Sequence, residues 1–551
     1  MTGATAETEF TLIGVFETVA GVVPDRVALS QGKRRQTYGE TAERCRRLAS
    51  YLHAQGLGAS AERSDLDGHE SGQDHVALLL YNSPEYLEGM LGGYRARTAP
   101  FNVNYRYVGH ELAYVLRDAS TRAVIFHSTF APVLAGVLDQ LDESPVLLQV
   151  DDGSGIPLLP GAVDYEEALA GADPSGPLVT PNPDDLYVLY TGGTTGMPKG
   201  VLWRQHDIFM AAMGGTRVGT WEKVRDHAEL AQGAVDGPGI SLVVMPPLMH
   251  GGAQWTAFHI FRDGNTLVMP ESVRHFDAAD VWNTVERERA VTITVIGDAM
   301  VRPLLAELDR KSYDLSSLLA VGNGGAPLTP TVRDLLLERF PNLFITDTVG
   351  ASETGAQMNL ASTDNGRATT FSPGPDTCVL DASRTRVVNP GHTGEGWLAQ
   401  SGSVPLGYLG DPDKTAQTFP VIDGVRYSVP GDRAVHLPDD RIQLLGRDSQ
   451  TINTGGEKVF VEEVESAIAG HTSVADVVVT SRPSERWGQE VVAVIQPVEG
   501  KTISLAEVRE FASASIASYK MPKDVIVVDR VQRSPSGKAD YRWAKEVVSG
   551  A

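Results

Sequence analysis

Cysteine is nearly absent from this 551-residue chain: only Cys45 and Cys378 occur, far apart and outside any Cys-x-x-Cys pair. That argues against a disulfide scaffold and a cysteine-built zinc site, and it fits a reducing, cytoplasmic setting. Long apolar runs are also missing, so no segment is expected to span a bilayer. The opening MTGATAETEF has neither the basic nor the apolar part of a signal peptide. Positive charge is in deficit, with 47 Lys and Arg against 70 Asp and Glu and a net charge of −23. Such a surface repels nucleic acid and anionic lipid. Any site for a phosphorylated small molecule must then be built locally, from backbone N–H groups and a few placed cations.

What is present is ordinary for a globular protein: 42% apolar and 21% charged residues. At about 100–200 residues per domain, the length calls for several subdomains. Short apolar runs at 75–80, 123–127, 186–190, 242–245, 292–295, 318–321 and 343–346 read as strands. Amphipathic stretches such as 41–52, 110–117 and 331–340 read as helices between them. Thr329 and Pro330 supply an N-cap and a first-turn proline for the last of these. This alternation predicts an α/β fold with mainly parallel sheets. The last hundred residues read differently. Strands at 475–480, 490–496 and 524–529 alternate with helices near 461–469 and 505–517, the second opened by a Ser504/Glu507 capping box. A large N-terminal domain, 1–447, and a small α+β C-terminal domain, 448–551, are expected, joined near 446–450. The polar stretch 58–74 reads as a surface loop, and 214–239 has few apolar residues and several glycines.

The sharpest feature is Tyr190-Thr191-Gly192-Gly193-Thr194-Thr195-Gly196-Met197-Pro198-Lys199-Gly200. Glycines free the backbone to form an anion nest, and hydroxyls and a lysine add donors for phosphate oxygens. It is not a P-loop. That motif needs Gly-Lys-Ser/Thr opening a helix, and here the lysine stands between Pro198 and Gly200.

This block resembles the signature of the adenylate-forming enzymes: acyl-CoA synthetases, nonribosomal peptide adenylation domains and firefly luciferases. Further resemblances follow in the family's order over most of the chain: Gly324-Gly325-Ala326-Pro327-Leu328, Val349-Gly350-Ala351-Ser352-Glu353-Thr354, Tyr427-Ser428-Val429-Pro430-Gly431-Asp432, Gly446-Arg447, Thr454-Gly455-Gly456-Glu457-Lys458 and Ser534-Pro535-Ser536-Gly537-Lys538. The resemblance implies activation of a carboxylic acid by ATP as an acyl-adenylate, then transfer to CoA. It implies that Thr191, Gly192, Gly193, Thr194, Thr195 and Lys199 hold the β- and γ-phosphates. Gly324, Gly325, Ala326, Pro327, Asp347, Thr348 and Ser352 would line the nucleotide, and Asp432 and Arg447 its ribose and phosphate. Glu353, with Thr194 or Thr195, would hold Mg²⁺. Lys538 would bridge carboxylate and α-phosphate, and His250 would position the reactants rather than shuttle a proton. Asp448 and Ser449 fall at the hinge about which the small domain rotates between steps, and Thr454, Gly455, Gly456 and Lys458 at the CoA channel. Three departures stand out: Gly193 replaces a common serine, Val349 a common aromatic, and Ser449 the usual hinge Asp or Lys.

The acyl pocket is expected from His250, Gly251, Trp255, Ala299, Met300, Val321, Gly322, Gly350 and Ala351, mostly small or apolar and without an Asp to grip an amine. Gly322 and Gly350 would leave room for a bulky ring system. Segments 296–300 and 452–459 are similar to actinobacterial acyl-CoA synthetases acting on fatty, terpenoid or steroid acids. Two other outcomes stay open: loading of a carrier protein instead of CoA, and a non-catalytic nucleotide sensor. A hydrolase has no support, because 350–354 lacks the second glycine of a nucleophile elbow. A homodimer is compatible with the resemblance.

Overall fold

The computed structural model describes residues 8–175, 179–191, 197–217, 220–326, 328–361, 370–454, 457–484, 488–513, 515–516, 518–534 and 537–550. Most of the predicted strands form where the apolar runs stand, and they assemble into two large sheets. The eight-stranded sheet has a parallel centre built from Leu186–Thr191, Ala99–Asn102, His75–Leu79, Thr121–His127 and Val146–Val150. The thirteen-stranded sheet has a parallel centre too, running Val27–Gln31, Thr266–Met269, Ser241–Val244, Thr292–Val295, Ala320–Gly324 and Phe344–Ala351. Beyond Phe344–Ala351 its strands turn antiparallel. Strands covered on both faces read as unbroken apolar runs, and His75–Leu79 is buried at every position.

Helices Leu12–Val22, Tyr38–Ala54, Pro84–Arg95 and Gly251–Arg262 lie between the sheets. Their apolar faces join Leu78 and Leu189 of one sheet and Leu29 and Met269 of the other in one continuous core. Each sheet carries a second core on its outer face, one around Phe126 and Leu116, the other around Ile293, Val321 and Trp282.

From Thr451 the chain forms its own five-stranded sheet, with Gly488–Pro497 central between Val474–Ser484 and the parallel strand Asp524–Val527. Helices Val461–Ala469 and Leu505–Ala512 pack on it around Val464, Ile468 and Val508. The capping box at Ser504 and Glu507 forms as expected.

Within the polar stretch 214–239, Asp226 caps a helix, His227–Asp236, whose buried face is only Leu230 and Ala234 and so gives a faint periodic signal. Two local readings need correction. The run at 318–321 is displaced, and the strand is Ala320–Gly324. Glycine disfavours strands, but ladders on both sides carry this one through Gly322 and Gly324. The helix expected to reach 517 stops at Ala512.

Candidate active site

Four of the motif segments follow the C-terminal ends of parallel strands, three of them neighbours in the thirteen-stranded sheet and one, Leu186–Thr191, in the eight-stranded sheet, where open α/β sheets place ligands. Leu186–Thr191 leads into the glycine-rich turn, Thr292–Val295 into Ile296 and Gly297, Ala320–Gly324 into Gly325 and Ala326, and Phe344–Ala351 into Ser352 and Glu353. Gly192, Gly193, Thr194, Thr195, Pro327, Gly455 and Gly456 lie outside the described residues, as do the side chains of Ser449 and Lys458.

Thr191 and Lys199 face each other across an antiparallel pair, and the lysine opens a strand, Lys199–Arg204. That is not P-loop geometry. Lys199 pairs with Asp411 and stands 6.0 Å from the centre of the Tyr408 ring. The Tyr408 hydroxyl donates to Glu353 Oε1 at 2.8 Å. Burial, then the Glu353 charge, drives the phenol pKa far up, so it remains a donor. Lys199 and Glu353, expected to serve phosphate and metal, are thus linked through two residues that carried no motif.

The turn bearing Glu353 is held from three sides. Trp203 Nε1 donates to Ser352 O at 2.9 Å, Ser428 Oγ donates to Glu353 O, and Thr354 Oγ1 accepts from Ala351 N at 3.0 Å. A second knot is Asn323, 6% exposed. It accepts from Gly297 N at 2.7 Å and donates to Ala326 O at 3.0 Å and Asp347 Oδ1 at 2.6 Å. Asp347 also pairs with Arg333, and Thr348 stands opposite Gly324 in the ladder. One amide therefore fixes three strand ends around the nucleotide face. Gly325, at φ +80°, makes the turn there that a side chain would strain.

Asp432 and Arg447 are register partners, 3.3 Å apart from Oδ1 to Nε. Lys538 arrives from the C-terminal unit on Gly537, which packs against Ile296. Solvent reaches the Lys538 side chain, yet the surrounding protein lowers its pKa, by desolvation first and then by Arg447, with Glu353 and Asp432 opposing. The lysine therefore stands in the field of the groups assigned to metal, ribose and phosphate.

His250 precedes the helix Gly251–Arg262. Burial, then Lys538 and Arg106, push its pKa down to about 4, so the ring is neutral at pH 7. Its Nε2 is buried with no hydrogen-bond partner among the described residues.

The proposed acyl wall divides in two. Val321 is 1% exposed and points into the outer core with Ile293 and Ile345. By the strand's alternation Gly322 turns to the other face, beside Thr294 and Thr346. A Cβ on Gly322 would meet nothing nearer than 3.7 Å, so its smallness leaves real space. Gly350 is different: the Gly355 carbonyl fills the place of its Cβ, so its smallness serves hairpin packing. Gly251 is likewise tight, against Leu189 at 2.7 Å and the Trp255 ring. Ala299 and Met300 lie on the helix Gly297–Arg310, and Ala351 ends the strand before the Glu353 turn. Thr454 is buried at the end of Thr451–Thr454, and Asp448 opens a short turn, donating its N–H to Gly431 O at 3.0 Å.

Known proteins resemble the chain over most of its length. The AMP-binding enzyme family matches residues 16–409 and the AMP-binding enzyme C-terminal domain residues 463–538. The medium-chain acyl-CoA ligase Mig of Mycobacterium avium is 55% identical over 540 residues, covering 98% of each chain. The 3-oxocholest-4-en-26-oate–CoA ligase of Rhodococcus rhodochrous is 38% identical, covering 95% of this chain and 93% of its own. In structure, the anthranilate CoA ligase AuaEII in complex with anthranoyl-AMP superposes with a TM-score of 0.82 at 18% identity, over 98% of both chains. The chain belongs to the AMP-binding enzyme family and is a relative of actinobacterial acyl-CoA ligases.

Proposed function

We propose that this enzyme is an ATP-dependent acyl-CoA ligase for apolar carboxylic acids. One observation carries the reading: Lys538 reaches across from the C-terminal unit into the field of Glu353, Asp432 and Arg447. A carboxylate is a poor electrophile, and ATP converts it to a mixed anhydride whose leaving group is AMP. Two anions must meet for that, and a cation between them offsets their repulsion. Lys538 would supply this bridge, Lys199 and Thr191 the hold on the outer phosphates, and Asp432 the ribose contact. The carboxylate oxygen attacks the α-phosphorus, pyrophosphate leaves, and the CoA thiol then displaces AMP from the acyl carbon.

Mg²⁺ fits this site as an ion held mainly by substrate. It commonly takes one or two carboxylates plus phosphate oxygens, and no group of three or more acidic, His or Cys residues converges among the described residues. Glu353, oriented by Tyr408, would be that carboxylate. Bound there, the ion would neutralise phosphate charge.

The boundary between domains would fall at 447/448, with Asp448 and Ser449 as pivot. Rotation would withdraw Lys538 and bring the turn after Thr454, with Lys458, to the CoA channel. Relatives named for medium-chain and steroid side-chain acids, with the space at Gly322, favour a fatty or polycyclic acid. A cytoplasmic setting suits ATP and CoA, and both cysteines are free.

The test is product analysis with ATP, Mg²⁺ and a panel of fatty, terpenoid, steroid and aromatic acids, with and without CoA. Acyl-CoA and AMP are expected only with every component present. Adenylate and pyrophosphate without thioester would move the reading to carrier-protein loading, and no turnover on any acid would leave a nucleotide sensor.

A further inference from the structure

The polar loop 58–74 has no part in the chemistry read from the motifs, yet it is neither loose nor idle. Its ends close on each other: Ala59 bridges Gln73, Ser60 N donates to Gly72 O at 2.7 Å, and Asp74 N donates to Gly58 O at 2.9 Å. Across its middle Arg63 Nη1 donates to Glu70 O, and Asp67 N to Glu70 Oε2, both at 2.8 Å. A loop packed by its own polar groups in this way is of the Ω kind, and such loops frequently carry function.

The loop joins two places that serve the phosphate side of the site. At its base, Gln73 Oε1 accepts from Leu186 N at 2.6 Å, where the strand Leu186–Thr191 begins. Arg97 clamps the same place, holding Glu62 of the loop at 2.8 Å and the buried Asp185 at 2.9 Å. At its tip, Gly68 and His69 lie against the segment 406–410. His69 O accepts from Gly410 N at 2.9 Å. A Cβ on Gly68 would stand 2.6 Å from Leu406 O, and one on Gly407 would stand 2.9 Å from Gly68 O, so the two backbones touch.

That segment is the one from which Tyr408 reaches Glu353 and Asp411 reaches Lys199. Its strand, Gly407–Tyr408, is only two residues long and lies at the edge of the eight-stranded sheet, paired on one side with Leu202 and Val201. So short a ladder gives little hold, and neighbouring backbone must supply the rest. We propose that the loop 58–74 is a positioning element for ATP: Gly68 and His69 brace 406–410, so that Tyr408 and Asp411 present Glu353 and Lys199 to the two outer phosphates. Gly68 is the positioning residue, kept small by the Leu406 carbonyl. That carbonyl also accepts from Arg426 Nη2 at 2.6 Å, so a side chain at 68 would disturb both supports of the segment at once. The role rests on the ATP-dependent ligase reading, through the parts given there to Lys199 and Glu353.

The test reads nucleotide binding without acid. Wild type, Gly68→Ala and Gly68→Val are titrated calorimetrically, with Mg²⁺ present, with AMP and with an ATP analogue that carries a methylene between the α- and β-phosphorus. AMP has no outer phosphates, so a general defect of the fold weakens both nucleotides and a positioning defect weakens only the analogue. Partial loss of hydrogen bonds to charged groups should weaken the analogue about three- to tenfold in Gly68→Ala, and more in Gly68→Val. The KM for ATP in pyrophosphate release should rise in step. AMP affinity and thioester formation from supplied acyl-adenylate should stay within about twofold. If the effect runs through Tyr408 and Asp411, Gly68→Ala should add less than about twofold to a Tyr408→Phe, Asp411→Asn enzyme. Unchanged affinity for the analogue in both Gly68 variants, equal weakening of AMP, or full additivity with the double variant would each overturn the role. A wild-type enzyme that binds neither nucleotide and releases no pyrophosphate with any acid would instead overturn the ligase reading.

Discussion

Glu462 sits where the two parts of the chain join. It lies on the helix Val461–Ala469, its carboxylate packed against Gly446 and accepting from Arg447 N at 3.4 Å. The other oxygen is buried without a hydrogen-bond partner among the described residues. Burial, reinforced by Asp432 and only partly offset by backbone N–H groups and Arg447, pushes its pKa up to about 7. Burial, then the Glu462 charge, pushes the pKa of Glu465, one turn on, up to about 8. A carboxyl raised by about 2.5 units costs about 3 kcal/mol when it ionises in place. The protonated form is therefore the stabilising one. Its contribution is fully present below about pH 4.5 and is lost as the pH rises through 7. Glu462→Gln keeps shape and acceptor but cannot ionise. Thermal unfolding followed from pH 5 to 8.5 should show the two proteins nearly alike at pH 5. The variant should gain steadily to pH 7 and level off above it, by roughly 5 °C or more in the transition that carries the C-terminal unit. A difference independent of pH, or a variant less stable than wild type at pH 8, would refute the reasoning.

Other outcomes follow from the site. Lys538→Ala should cut pyrophosphate release by about 10²–10³-fold while leaving thioester formation from supplied acyl-adenylate nearly intact; equal loss in both steps would remove the lysine from its role. Gly322→Val should shift preference toward slimmer or shorter acids in a competition assay, whereas Gly350→Ala should lower thermal stability whatever the acid, since the Gly355 carbonyl already occupies that space. Asn323→Ala should destabilise the protein by about 2–4 kcal/mol in denaturant titration, because a buried N–H and two acceptors lose their partner together.

The sequence disclosed whatever is local. Apolar runs placed most of the parallel strands, Thr329 and Pro330 marked the start of the helix Pro330–Arg339, and Ser504 and Glu507 marked another. Ordered short motifs identified the residues gathered at the strand ends. Their supports were not legible. Tyr408 meets Glu353 from 55 residues away and Lys199 meets Asp411 from 212; no window along the chain contains such pairs. The strand at Ala320–Gly324 was misplaced because its glycines speak against a strand, and only lateral ladders overrule them. The two glycines read alike as acyl-pocket residues, and only their neighbours separate one that leaves space from one that closes a hairpin.

The contact between Gly537 and Ile296 has a practical consequence. A Cβ at 537 would stand 2.6 Å from Ile296 Cγ2, and the residue's φ of +71° already favours glycine. The reach of Lys538 thus depends on one absent methyl group, set by a side chain 241 positions earlier in the sequence. Crowding that latch from the Ile296 side, with Ile296→Phe, would hold the tail ajar while leaving the lysine itself chemically untouched. The enzyme could then be arrested short of its first step and its later poses collected one at a time.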